Sequence, residues 1–124
     1  VRLLLDTHVL LWWLDSPERI SDIASAAIAN EPAVLVSAVA AWEIAVKRSA
    51  GKLQAAFDVI AEIAQEGFQH LPITLEHALA AGALDQHHRD PFDRMLVAQA
   101  QVEDLVLVTA DPQLAKYDVR LLAA

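Results

Sequence analysis

The 124-residue chain carries 9 Lys plus Arg against 17 Asp plus Glu, a formal net charge of -8, with 56% hydrophobic residues and no cysteine. This length suits one domain with one core, the apolar content excludes a disordered chain, and the missing thiols remove disulfides, thiolate zinc sites and cysteine nucleophiles. The acidic balance argues against a nonspecific nucleic-acid coat protein, but not against an enzyme that meets phosphates through bound cations.

Val1 to Leu5 reads as a short buried strand, and His8 to Leu14 as the start of a helix broken at Pro17. Ser21 can cap the next helix, where Ile23, Ala26, Ala27 and Asn30 outline helical spacing before Pro32 stops it. Ala33 to Val36 is a second apolar strand, and Ser37 caps a helix from about Ala38 to Arg48 closed by Gly51. A further helix is expected from about Ala55 to Glu66, with Phe57, Ile60, Ala61 and Ala64 on one face and Gly67 at its end. Phe68 to Ile73 can form a short strand, with Pro72 placing it at an edge, and Thr74 caps a short helix to about Ala81. Asp90 and Pro91 open a helix to about Val102. Leu105 to Thr109 is the most strand-like segment, and a small helix around Pro112 to Tyr117 precedes a last strand at Val119 to Leu122.

Strands that are continuous apolar runs, alternating with helices, imply a parallel sheet covered on both faces. The expected architecture is an α/β sandwich forming a single domain over residues 1–124. Its longest apolar stretches fall far short of the roughly 20 residues needed to cross a bilayer, and no basic segment precedes an apolar one at the start, so a soluble, cytoplasmic protein is expected.

In an open α/β sheet the functional crevice lies outside the carboxyl ends of the strands. Asp6 follows the first strand directly, and Asp111 follows LVLVT after a single Ala. Glu43 lies about two turns into the helix after the second strand, and Asp93 in the first turn of the helix begun by Asp90. Each has an ordinary structural reading. Asp6 can cap a helix starting near Thr7, and Glu43 can pair with Lys47 at i, i+4. Asp90 and Asp93 have capping-box spacing, and Asp111 before Pro112 can open a helix. Together they carry more weight, since neighbouring carboxylates without a cation repel by roughly 3 kcal/mol per pair at 5 Å and an effective dielectric of 20. Hard oxygen donors, with carboxylates outnumbering histidines, point to Mg²⁺ or Mn²⁺, and such an ion most often serves phosphoryl transfer.

Other α/β families fit less well. A haloacid-dehalogenase-type phosphatase needs a second Asp two residues after the first, where this chain has His8. A response-regulator receiver needs an acidic pair after strand one and a phosphoacceptor Asp after a central strand, yet Asp6 stands alone and the second strand ends at Ser37. With three Gly in all, a glycine-rich phosphate loop is missing.

Four segments, LLLDTHVLLWWL, VSAVAAWEIAVK, HRDPFDRMLVAQA and LVTADPQLAKYDV, resemble in order the four acidic blocks of the PIN-domain ribonucleases, and within them the VapC-type toxins of toxin-antitoxin pairs. The resemblance spans essentially the whole chain. It implies a PIN-like three-layer sandwich with a central, mostly parallel sheet flanked by helices, and an acidic pocket that binds Mg²⁺ or Mn²⁺ and hydrolyses single-stranded or exposed loop RNA. It also implies a homodimer and a cognate VapB-type antitoxin covering the pocket, with a toxin-antitoxin hetero-oligomer as the assembly. Carried over, Asp6, Glu43, Asp93 and Asp111 fall on the acidic positions: Asp6 and Asp93 as direct ligands, Glu43 completing the set or orienting water, Asp111 acting through a neighbour or a second ion.

Thr7 and Thr109 sit where a hydroxyl can support a ligand or cap a turn, and Asp90 reads as a helix cap. Lys47, Arg89 and Arg94 flank the acidic positions and can hold RNA phosphates, or be solvated surface charge. His87 and His88 suggest a transition-metal site, but the expectation for adjacent histidines in a loop is the surface. Trp12 and Trp13 point about 100° apart on a helix, so one of them is expected to line a dimer or antitoxin surface; Trp42 is a third candidate. The rival from a different class is a PIN-like binding or assembly module without chemistry, and a nuclease outside any toxin-antitoxin pair, or a phosphatase or flap nuclease, would use the same pocket. The RNA target is not written in these motifs.

Overall fold

The computed structural model describes residues 1–54 and 56–124. In chain order the elements are β1 (Arg2–Leu5), α1 (Thr7–Asp15), α2 (Asp22–Asn30), β2 (Ala33–Ser37), α3 (Ala38–Ser49), α4 (Val59–Glu66), β3 (Gln69–Leu71), α5 (Leu75–Ala83), α6 (Pro91–Glu103), β4 (Val106–Thr109) and β5 (Leu121–Ala123), with 3-10 turns at Pro17–Arg19 and Pro112–Lys116. The strands form one sheet in the order β3-β2-β1-β4-β5, and every neighbouring pair is parallel. The sheet is all-parallel, as the continuous apolar strands implied, and its central strands are apolar on both faces because helices cover each side.

Side chains alternate across that sheet. Leu3, Leu5, Val34, Val36 and Val108 pack in one layer with Val9 and Leu10 of α1, Ile28 of α2 and Ile44 of α3. Leu4, Leu35 and Leu107 face the other layer, with Leu96, Val97 and Ala100 of α6. β1, at the centre, aligns Leu4 with Leu35 on one side and Leu107 on the other, so all three leucines of β1 are lost to water.

Most elements fall where the sequence places them, and the exceptions have local causes. α4 begins at Val59, not near Ala55: Asp58 accepts from Ala61 N–H at 3.2 Å and caps the helix there. Ala55, the expected first residue, lies outside the described residues. Phe57, expected on the helical face, instead stands before the cap, where its carbonyl accepts from Arg48 at 2.7 Å and the guanidinium sits 5.3 Å from its ring. Gly67 ends α4 in the left-handed conformation, φ 74°, which glycine adopts without a Cβ penalty. β3 is an edge strand, as expected, and it ends at Leu71, just before Pro72.

The connections run from β1 outward through β2 to β3, then return so that β4 lies on the other side of β1. The order therefore reverses between β1 and β4, which is where an open parallel sheet leaves its crevice. Asp6 N–H donates to the Val108 carbonyl at 3.0 Å, carrying the β1–β4 ladder one residue further and fixing Asp6 at the mouth. Among the described residues no helix is long and apolar enough to cross a membrane.

Candidate metal centre

Asp6 both caps α1 and faces the crevice. Its Oδ1 accepts from Val9 N–H at 2.8 Å, and its Oδ2 accepts from the Thr109 hydroxyl across the switch point. Thr109 Oγ1 in turn accepts from Asp111 N–H at 3.1 Å. One hydroxyl thus joins the carboxylate after β1 to the turn after β4. Asp111 repeats the double duty: Oδ1 accepts from Gln113 N–H at 2.9 Å to cap the 3-10 turn, while Oδ2 points to the His88 ring.

Glu43 enters from α3. It is 2% exposed, and Lys47 one turn on reaches its Oε2 at 2.6 Å. The expected i, i+4 pair therefore exists but uses one oxygen only; Oε1 is buried with no hydrogen-bond partner among the described residues. A buried acceptor without a donor costs about 1–3 kcal/mol, so this atom is suited to a ligand that supplies positive charge.

Asp93 enters from α6. Asp90 alone caps that helix, accepting from Phe92 N–H at 2.8 Å and Asp93 N–H at 3.3 Å. The anticipated reciprocal box does not form, because Asp90 N–H is taken by His88 Nδ1 at 3.2 Å. Asp93 is thereby released to the pocket. Burial, then the charges of Asp90, Asp6 and Glu43, push its carboxyl up to about 7, against the lowering effect of His88. Asp6 is also held above the usual carboxylate range, chiefly by burial and in small part by Glu43, despite stabilisation by Thr109, Val9 N–H and His8. Three elements distant in sequence thus bring Asp6, Glu43 and Asp93 close enough for their charges to act on one another.

His88 corrects the expectation of a surface residue. Its side chain is 18% exposed, and Nε2 stands 3.1 Å from both Asp93 Oδ2 and Asp111 Oδ2. With Nδ1 accepting from Asp90, a neutral ring carries its proton on Nε2 and shares it between the two carboxylates. The only sequence signal was that HRDPFDRMLVAQA starts at this residue; a loop histidine has no periodicity to expose it. His87 does stay exposed, edge-on to Tyr117 at 5.1 Å between centroids.

The loop carrying His88 is tied down. Arg94 donates to the carbonyls of Ala81, Leu84 and Asp85 at 2.9–3.0 Å and of His88 at 3.4 Å, and Tyr117 Oη accepts from His88 N–H and donates to the Asp85 carbonyl, both at 3.0 Å. Arg94 is thus engaged inside the protein, and Lys47 is engaged by Glu43; Arg89 is exposed. Thr7 Oγ1 is buried without a hydrogen-bond partner among the described residues. Trp12 and Trp13 are half-buried and diverge, Trp12 toward His8 and Trp13 toward Phe68. Trp12 also lines a cavity of about 560 Å³ with His8, Arg19 and Phe57, whereas Trp42, 58% exposed, leans edge-on against Phe92.

Asp6 in the turn after β1, Glu43 on α3 with its orphaned oxygen, and Asp93 on α6, held up by its acidic neighbours, offer hard oxygen donors of the type a divalent cation takes. Such a site can polarise a phosphodiester and activate water.

Comparison with known proteins bears on the same arrangement. A family profile described as PIN domain matches residues 3–120. Ribonuclease VapC22 of Mycobacterium tuberculosis is 34% identical over 117 residues, spanning 92% of this chain and 90% of that protein. Among solved structures, VapBC2 of Rickettsia felis bound to a promoter DNA fragment superimposes with a TM-score of 0.71 at 11% identity, and DNA-bound VapBC of Salmonella typhimurium with 0.71 at 18%; each match covers 99% of this chain and 98% of the other.

Proposed function

The chain belongs to the PIN-domain family, among its VapC-type proteins, and on that premise we propose that it is a metal-dependent endoribonuclease toxin that hydrolyses RNA phosphodiester bonds and is neutralised by a cognate VapB-type antitoxin. The observation that carries this reading is the convergence of Asp6, Glu43 and Asp93 at the switch point, with Asp93 raised to about 7 by burial and by its acidic neighbours. A stand-alone structural module gains nothing from that repulsion; a cation site does.

Asp6 and Asp93 would hold Mg²⁺ or Mn²⁺ directly, with the free Glu43 oxygen completing the set and Asp111 beside it. When bound, the ion supplies an activated water and stabilises the departing oxygen of an in-line displacement. Thr109 fixes the Asp6 carboxylate, and the Lys47 pair fixes Glu43, so both are oriented before substrate arrives. The antitoxin assignment is supported by the relative VapC22 and by the VapBC complexes that share the fold. A homodimer, a cytoplasmic location and a single domain over residues 1–124 complete the proposal.

The test is incubation of purified protein with single-stranded RNA in Mg²⁺, in Mn²⁺ and in EDTA, beside Asp6→Asn and Asp93→Asn. Cleavage that needs the ion and both carboxylates is expected. Cleavage in EDTA, or variants as active as the parent, would remove this site, and no cleavage in any condition would favour a binding module. A short neighbouring reading frame whose product ends in an Arg-containing tail would support the antitoxin pairing.

A further inference from the structure

The acidic pocket has a second side. Asp6 and Glu43 act on Asp93 through their charge, while Asp93 Oδ2 also meets the His88 ring, which reaches Asp111 as well. One imidazole nitrogen and one oxygen from each carboxylate all lie within 4.8 Å of one another. The two Nε2–oxygen separations are both 3.1 Å. Donors about 2.1 Å from a shared ion lie about 3.0 Å apart at right angles and about 3.4 Å apart in a tetrahedron, so these separations already match ligation. The donors are also held in place: Arg94 and Tyr117 anchor the backbone of His88, Thr109 anchors Asp111, and Asp93 is in the first turn of a buried helix.

We propose that His88, Asp93 and Asp111 form a nitrogen-containing cation position, sharing Asp93 with the all-oxygen position, and that it takes a first-row transition-metal dication in preference to Mg²⁺. Selectivity follows from the ring. Nε2 coordinates only through its lone pair, so its proton must move to Nδ1, and the 3.2 Å contact from Asp90 N–H is given up. Mg²⁺ gains little from imidazole and does not offset that loss; transition ions bind imidazole strongly enough to do so. The inference rests on the acidic pocket being a cation site, but not on RNA being its substrate.

The test uses the full chain and Co²⁺, followed by visible absorption, with Mg²⁺ affinity measured by calorimetry. The parent protein is expected to bind Co²⁺ at least about tenfold more tightly than His88→Ala, with Mg²⁺ affinity alike in the two. A second readout needs no variant: Zn²⁺ added to parent protein with ¹⁵N-labelled histidine should shift Nε2 of His88. Equal Co²⁺ affinity, tighter Co²⁺ binding by His88→Ala, or an unmoved Nε2 resonance would each overturn the proposal; tighter binding would show the ring to be a competitor for the carboxylates. RNA cleavage by the parent in Mg²⁺ alone is scored separately. Cleavage without His88 ligation leaves the nuclease reading standing and removes this one, and ligation without cleavage does the reverse.

Discussion

Asp93→Asn should stabilise the protein when divalent cations are removed, although it deletes a proposed ligand. The Asp93 carboxyl is raised in the folded chain to about 7 from 3.8. Between those values the folded state keeps a proton that the unfolded state has released, so stability falls as pH rises through this window, and the full penalty is present above pH 7. At 1.36 kcal/mol per pH unit the rise from 3.8 to about 7 bounds the effect at about 4 kcal/mol at pH 8, and solvent screening of this partly exposed carboxyl brings it to about 1–3 kcal/mol. Asn keeps the shape and loses the charge. Urea unfolding in EDTA at pH 8 should therefore show the variant more stable by that amount, and at pH 4 by less than about 1 kcal/mol. Saturating Mn²⁺ at pH 8 should reverse the order, because the ion binds only the folded parent tightly. Equal stability of parent and variant at pH 8 in EDTA, or an advantage that does not shrink toward pH 4, would refute the electrostatic reasoning.

Three further outcomes follow from the same contacts. Thr109→Val removes the donor to Asp6 and the acceptor for Asp111 N–H, so urea unfolding should show a loss of about 1–3 kcal/mol and cleavage should fall with it, by kcat more than by KM. Arg94→Lys cannot reproduce a planar guanidinium shared among four carbonyls; about 2 kcal/mol of stability and part of kcat should be lost, with KM for RNA held within about twofold. A KM effect alone would put Arg94 on phosphate instead. Lys47→Met leaves Glu43 buried without its ion-pair partner beside two acids, so the thermal midpoint should drop in EDTA and recover in Mg²⁺, whereas a midpoint insensitive to Mg²⁺ would place Glu43 outside the cation site.

The fold was legible in the sequence because its signals are local and repeated. LLL, AVLV and VLVT are continuous apolar runs, Asp-Pro opens α6, and Gly67 closes α4. Three of the acidic candidates were legible for a different reason: Asp6 and Asp111 lie just past β1 and β4 and Glu43 on the helix that follows β2, so topology sends them toward the crevice, whereas Asp93 is on α6, which follows α5, and only the four-block resemblance pointed to it. What stayed hidden depends on side chains meeting across loops. Asp90 and Asp93 have the spacing of a capping box, yet His88 takes the Asp90 N–H, and nothing in the spacing distinguishes the two outcomes. Arg94 looks like a phosphate ligand by its place beside Asp93, and only the path of residues 81–88 shows that its donors are occupied. The start of α4 moved because Asp58 is a better cap than anything near Ala55, a contest between two local signals.

Placing the basic residues alters how such a chain would meet RNA. Of nine Lys and Arg, Arg2, Lys47, Arg48, Arg94 and Arg120 are engaged with carbonyls or carboxylates of the protein itself, and the exposed Arg19, Lys52, Arg89 and Lys116 have no such partner among the described residues. So few uncommitted cations on a chain of net charge -8 give weak long-range attraction for a polyanion. In the proposed enzyme, the local field that a scissile phosphate meets is then set mainly by the bound cation rather than by side chains, because the ion inverts the sign of a carboxylate cluster. Binding and chemistry become linked through one charge. An antitoxin that offers a basic side chain to Asp6, Glu43 and Asp93 would compete for that same charge, blocking substrate affinity and catalysis in a single contact without reshaping the fold.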